Sequence, residues 1–151
     1  MASIKHVVVE ATQTDGFTIE SKARKHTVII DQPEAGGGKD CGPNPLEYLF
    51  FSLAGCVITI GHIIVRQRQL PVRNISARVE GDLDTEVLMG KSTSVRAGFT
   101  GLKVFVTVDG DMTQAEKEAF IREVDARCPI SDNIHNLTPI EFVVDGTPLA
   151  E

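Results

Sequence analysis

Asn44-Pro45-Leu46-Glu47-Tyr48-Leu49-Phe50-Phe51-Ser52-Leu53-Ala54-Gly55-Cys56-Val57-Ile58-Thr59-Ile60-Gly61-His62-Ile63-Ile64-Val65-Arg66 is the stretch on which the fold turns. It opens as a capped helix does. Asn44 has the side-chain oxygen an N-cap needs, Pro45 stands at the first helical position, where its missing N–H costs nothing, and Glu47 reaches the third. Leu70-Pro71 predicts the end, near Arg68. That is about 24 residues, or roughly 36 Å. The helix is apolar on nearly every face, so other elements must wrap it. Short strands of one chain would struggle to cover it, which points to a partner subunit. Ala54-Gly55 and Gly61 are places where a neighbouring backbone can come close.

The uncharged run Phe50–Val65 falls short of the about 20 residues a bilayer span needs, and it holds Ser52, Thr59 and His62. We therefore expect no membrane association. A net charge of −6 and the absence of Trp argue against a nucleic-acid surface, which needs cations for phosphates and rings for bases. Met1–His6 lacks the pattern of a signal peptide. With three cysteines and no leader, the expected compartment is the cytoplasm, where thiols stay reduced. Three scattered cysteines are too few for an all-cysteine zinc site, so no metal is expected.

Working outward, residues 4–11, 17–21 and 26–31 are β-branched or alternating and predict an antiparallel meander, with a turn at Thr14-Asp15-Gly16. Residues 32–43 read as a loop. Its three glycines lack the strand–loop–Lys-Ser/Thr–helix order of a phosphate cradle. After the helix, residues 74–82 and 99–108 predict strands, the second with Leu102, Val104, Val106 and Val108 on one face. Residues 83–98 are a longer connection. Thr113 and Glu116 form a second capping box, starting an amphipathic helix over 114–127 with Ala115, Ala119, Phe120 and Val124 on its apolar side. A turn or short helix follows at Cys128–Asn133, then a last strand at 139–145. We find no internal repeat and no domain boundary, so residues 1–151 read as one domain.

On the helix alone, Cys56 reads as a small core residue, since free Cys is among the most buried types. Cys128 changes that reading, because a helix end before Pro129 is a less common place for a core cysteine. Two thiols that met in space would make a redox pair. Burial raises a thiol's pKa, and Cys56 lies too deep in the helix for the macrodipole to help, so a cation must approach it. Glu47 is nine residues away, on the opposite face, and reads as a cap. Arg24, in Lys22-Ala23-Arg24-Lys25, is the first candidate cation, with a solvated strand-end charge as the alternative. Cys41 is either a surface residue without a role or an alternative disulfide partner.

Gly42-Pro43-Asn44-Pro45-Leu46-Glu47-Tyr48-Leu49 with Ser52-Leu53-Ala54-Gly55-Cys56, and then Cys128-Pro129-Ile130-Ser131-Asp132-Asn133, resembles the two cysteine motifs of the OsmC/Ohr family (osmotically induced and organic hydroperoxide resistance proteins). The resemblance covers nearly the whole chain and is that of a broader OsmC-like branch. It implies an α+β, OsmC-like fold with antiparallel sheets wrapped around a long central helix in an intertwined homodimer. It also implies a thiol peroxidase of oxidative or osmotic stress defence, with Cys56 attacking an organic hydroperoxide, Cys128 resolving the sulfenate to a disulfide, and a dithiol reductant restoring both. No organic cofactor is implied, and the apolar Phe50-Phe51 region would suit organic peroxides. The family's best-characterised members place a carboxylate, paired with an arginine, directly after the Pro of the first motif. Here that position is Leu46 and Glu47 comes one later. The slip keeps open a second reading, a non-catalytic small-molecule-binding or redox-sensing protein on the same fold.

Overall fold

Alternating residues before position 31 fold as an antiparallel three-stranded meander of β1 (Glu10–Asp15), β2 (Thr18–Ala23) and β3 (His26–Ile30) in a computed structural model that describes residues 2–150. Pairing runs from Glu10↔Lys22 to Asp15↔Thr18 and from Ile19↔Ile30 to Ala23↔His26. The first strand begins later than residue 4. A strand persists only where a neighbour completes its backbone hydrogen bonds, and β2 ends at Ala23, one residue past Lys22, the partner of Glu10 at the start of β1. Ile4, Val7, Val8 and Val9 are exposed and outside any strand. Phe17 belongs to the turn rather than to β2, beside Gly16 at φ +58°.

The chain divides into two compact units, one ending at Phe51 and the other beginning at Ser52. In the first unit, Asp31 organises the glycine-rich loop. Its carboxylate is buried (1% exposed) and accepts from the backbone N–H of Gln32 (2.8 Å), Lys39 (3.2 Å) and Cys41 (3.2 Å) and from the Thr18 hydroxyl (3.3 Å). Burial alone would push this carboxyl upward. The four donors outweigh it and hold the pKa below the ordinary carboxylate value. Glycine is needed in the loop because it is tight: a Cβ on Gly38 would stand 2.0 Å from the Gln32 carbonyl oxygen.

Helix α1 (Pro45–Arg68) has the predicted bounds, and the boundary between the units falls inside it. Asn44 and Glu47 close a reciprocal box: Asn44 N–H donates to Glu47 Oε2 (2.8 Å) and Glu47 N–H to Asn44 Oδ1 (3.0 Å). Tyr48 anchors the first turn by donating to the Ile29 carbonyl (2.7 Å). By length and composition alone, α1 passes as a membrane span, a test that core helices of soluble proteins pass too.

In the second unit, β4 (Val72–Asp82) pairs antiparallel with β5 (Gly101–Gly110) over nearly their full length. Between them lies a short helix, α2 (Thr85–Leu88), capped by Asp84 within the predicted connection. Helix α3 (Gln114–Arg127) starts at the Thr113–Glu116 capping box, and α4 (Pro129–His135) follows Cys128 directly. Leu53, Val57 and Ile64 of α1, Val108 of β5, and Phe120 and Val124 of α3 form the core. The buried stripe of α3 is narrower than expected. Ala115 and Ala119 are exposed, because contact is made through Phe120 and Val124, one turn apart. Val104 is also half exposed, unlike Val106 and Val108.

Gly61 is where α1 is closely approached: an added Cβ would lie 2.8 Å from Ile75 Cδ1 and 3.3 Å from Phe120 Cζ. Gly55 has nothing within 4 Å of that position among the described residues, so the close approach expected there is not made within this chain. The apolar coat of α1 is likewise incomplete, with Leu46, Leu49, Phe51 and Ile63 exposed. The last strand differs from expectation too. Asp145-Gly146, both at positive φ, turn a small hairpin of β6 (Val143–Val144) and β7 (Thr147–Pro148), leaving residues 139–142 outside any strand.

Candidate functional site

Helix α1 supplies Cys56 and the α3–α4 junction supplies Cys128. The core positions Leu53, Val57, Phe120 and Val124 lie on the same two helices and fix them within one unit. The two Sγ atoms stand 2.8 Å apart, and both thiols are free. A disulfide bond is about 2.05 Å, so closing it is a matter of sub-ångström sulfur movement. Cys56 is partly exposed while Cys128 is 1% exposed. Any reagent arriving from solvent therefore meets Cys56 first.

Cys128 ends α3 in extended conformation (φ −83°, ψ 110°) and caps α4, its Sγ accepting from the Ser131 N–H (3.4 Å). Pro129 at the first position of α4 keeps the turn tight without losing a donor. The backbone of Ile130, in the same turn, acts to lower the Cys56 pKa. Burial pushes the Cys56 thiol above its ordinary pKa, and the hydrogen bond and charge of Cys128 push it further; the Ile130 backbone opposes both and does not offset them.

Behind Cys128 lies a polar group that sequence reasoning missed. The buried Ser131 hydroxyl donates to Asp125 Oδ1 and lies 3.2 Å from His135 Nδ1, which also stands 3.0 Å from the Ser131 carbonyl oxygen. A carbonyl only accepts, and the single Ser131 hydroxyl proton goes to Asp125. His135 Nδ1 must therefore carry the hydrogen in this arrangement. The available signal was the i, i+4 spacing of Ser131 and His135 on α4; the reach from Asp125 across the helix break had none.

Of the other predicted residues, Glu47 makes the cap described above. Arg24 occupies the β2–β3 turn at φ +56° and is exposed. Cys41 is exposed in the loop around Asp31, its sulfur 3.8 Å from the Lys39 carbonyl. Among the described residues no cluster of three or more His, Cys, Asp or Glu side chains fits a metal ion. A groove of about 150 Å³ between α1 and β4, lined by Ile58, His62, Val65 and Ile75 among others, is not lined by either thiol of the pair.

An α+β chain with antiparallel sheets, a long helix and a thiol pair between that helix and a later helix junction defines a class of paired-thiol proteins. A family profile described as OsmC-like protein matches residues 36–143, and the chain belongs to that family. Among solved structures it is similar to an OsmC-like protein from Mycoplasma pneumoniae (17% identity, 88% of this chain and 89% of that one, TM-score 0.77). It is also similar to an organic hydroperoxide resistance protein OsmC from Legionella pneumophila (18%, 89% and 93%, TM-score 0.67). A third is an organic hydroperoxide resistance protein from Elizabethkingia anophelis (18%, 91% and 93%, TM-score 0.64). At these identities the likeness is one of fold. No curated protein matches the chain by sequence.

Proposed function

We propose that the protein is a thiol-dependent peroxidase that reduces organic hydroperoxides in oxidative or osmotic stress defence. The observation that carries the reading is the 2.8 Å approach of a partly exposed Cys56 to a buried Cys128. The Cys56 thiolate attacks the distal oxygen of ROOH; the O–O bond breaks, ROH leaves after taking a proton, and Cys56 becomes a sulfenic acid. Cys128 then attacks Cys56 Sγ, the S–O bond breaks, and water leaves with the Cys128 proton. A dithiol reductant reopens the disulfide by exchange and leaves oxidised. The cycle is closed by thiol chemistry alone.

Two features of the cycle rest on groups outside the pair. A thiol held above its ordinary pKa needs a cation to ionise at neutral pH, and Arg24, of this chain or of a second copy, is the residue we assign that role. A homodimer would cover the exposed apolar residues of α1. The family match straddles the boundary between the two units and supports reading the chain as one OsmC-like domain. Dithiol chemistry suits a reducing compartment such as the cytoplasm, with no membrane or nucleic acid involved. The apolar Phe50-Phe51 stretch favours organic over inorganic peroxide.

Consumption of an alkyl hydroperoxide in the presence of a dithiol reductant tests the proposal. Wild-type turnover lost in Cys56→Ser supports it; a wild-type rate no higher than that of the variant overturns it. The raised Cys56 pKa favours one second reading, a redox-sensing or small-molecule-binding protein in which the pair closes slowly and without turnover. That reading gains if Cys56 is alkylated slowly at neutral pH while the disulfide still forms under oxidants.

A further inference from the structure

The turn carrying Cys128 is held by side chains that the peroxidase cycle does not consume. We propose that Ser131, clamped between Asp125 and His135, is a positioning residue for the resolving thiol. The inference deepens the peroxidase reading and rests on it only for the identity of the oxidant.

Ser131 is 5% exposed, and its hydroxyl is bonded to both the last turn of α3 and the far end of α4. Asp125 fixes it from α3, three residues before Cys128. His135 fixes it from α4, four residues after Ser131, by donating Nδ1–H to the hydroxyl and carbonyl oxygens. The Cys128 N–H also donates to the Asp125 carbonyl (3.1 Å), so Asp125 holds this junction through backbone and side chain together.

Between these ties the chain has little freedom to rotate. The Ser131 N–H stays on Cys128 Sγ, and Cys128 Sγ stays on Cys56 Sγ. Remove the hydroxyl, and the junction loses the side-chain link between the helices while every cysteine and every core residue remains. Resolution is a displacement at sulfur that needs the attacking atom already in line. A loosened Cys128 should therefore slow disulfide closure and leave the first attack by Cys56 largely intact.

The test separates the two half-reactions. With alkyl hydroperoxide, Cys56 sulfenic acid is trapped by a cyclic 1,3-dione and disulfide is counted by mass spectrometry after alkylation. A second arm replaces the peroxide by diamide. The Cys56 thiolate adds to its N=N bond, Cys128 attacks Cys56 Sγ, the S–N bond breaks, and the hydrazine leaves with the two electrons and protons of the thiols. This arm reports closure even if the protein turns over no peroxide, so failure of the peroxidase reading and failure of this one are distinguishable.

Expected for Ser131→Ala is closure slowed by about tenfold or more, with the first step within about twofold of wild type. Ser131→Thr, which keeps the hydroxyl, should restore closure. Asp125→Ala should slow it, and Asp125→Asn, which keeps an acceptor, should slow it less. Ser131→Ala closing at the wild-type rate would overturn the proposal. So would an equal fall in both steps, or Thr and Ala variants that are equally slow, since a general loss of packing would explain either.

Discussion

Cys56 and Cys128, 72 residues apart in sequence, bring their Sγ atoms to 2.8 Å, and the Ser131 N–H donates to the second of them. The relationship is asymmetric: one sulfur is reachable from solvent and the other is buried. Under the proposed peroxidase reading, that asymmetry favours Cys56 as the sulfur that meets the peroxide and Cys128 as the one that follows.

Cys128→Ser should therefore separate oxidation from recovery. Cys56 would still be oxidised once, but no disulfide could form, and excess peroxide would carry the sulfenic acid on to the irreversible sulfinic form. Intact mass after a peroxide titration checks this. A wild type that formed no Cys56–Cys128 disulfide on peroxide treatment would show that Cys128 is not the resolving group.

The pH dependence follows from the environment of Cys56. Burial and the Cys128 neighbour hold its pKa above the ordinary thiol range. The thiolate fraction, and with it the alkylation rate, should climb as pH rises through that raised value. The inflection should thus lie to the alkaline side of a free thiol near 8.5. Cys128→Ala removes the second cause and opens space around the first, so its inflection should move downward. Iodoacetamide kinetics across alkaline pH, with Cys41→Ser in both proteins to remove the exposed third thiol and the modified residue identified by peptide mass, make the measurement. An inflection on the acidic side in the wild type would show that a cation, such as the guanidinium of Arg24, dominates the site.

Much of this architecture is legible in the sequence, and the parts that are not have a common physical cause. Asn44, Pro45, Glu47 and Pro71 mark the ends of α1, because capping and breaking are local effects within a turn of the chain. Thr113 and Glu116 mark the start of α3 in the same way. Strand ends are set by partners instead. Ile4–Val9 has strand composition and no strand opposite it, and the 139–145 stretch gives way to a turn at Asp145-Gly146. The separation of Cys56 from Cys128, the Asp125–Ser131 contact and the donors around Asp31 are all tertiary. No spacing rule along the chain encodes them.

Asp31 gives an acid-sensitive loop. Its folded pKa lies below the unfolded value near 3.8, so its contribution is present above that value and lost as pH falls through the lower, folded one. Asp31→Ala would strand the N–H groups of Gln32, Lys39 and Cys41 without an acceptor at neutral pH. We expect limited proteolysis within residues 32–43 and faster alkylation of Cys41 in this variant at neutral pH, and in the wild type cleavage of the same segment by an acid-active protease only in strong acid. A variant loop as resistant as the wild type at neutral pH would show that the glycine-rich segment holds its shape without the carboxylate.

The two central glycines of α1 make opposite predictions. Adding a methyl at Gly61 places carbon 2.8 Å from Ile75 and 3.3 Å from Phe120, with Val124 at 3.7 Å. Ile75 must shift, and because the neighbouring Ile64 and Val124 are fully buried the strain has little room to spread. Gly61→Ala should cost about 1–3 kcal/mol as overpacking, less what alanine's better helix propensity returns. Gly55 has open space around the same position, so in an isolated chain Gly55→Ala should stabilise by up to about 1 kcal/mol. Urea unfolding of both variants checks the pair, and repeating it across protein concentrations adds a second use. If a second copy packs against α1 at Gly55, the alanine should cost stability and weaken association instead of stabilising. A concentration-dependent loss at Gly55 with a concentration-independent loss at Gly61 would then map which face of α1 a homodimer covers.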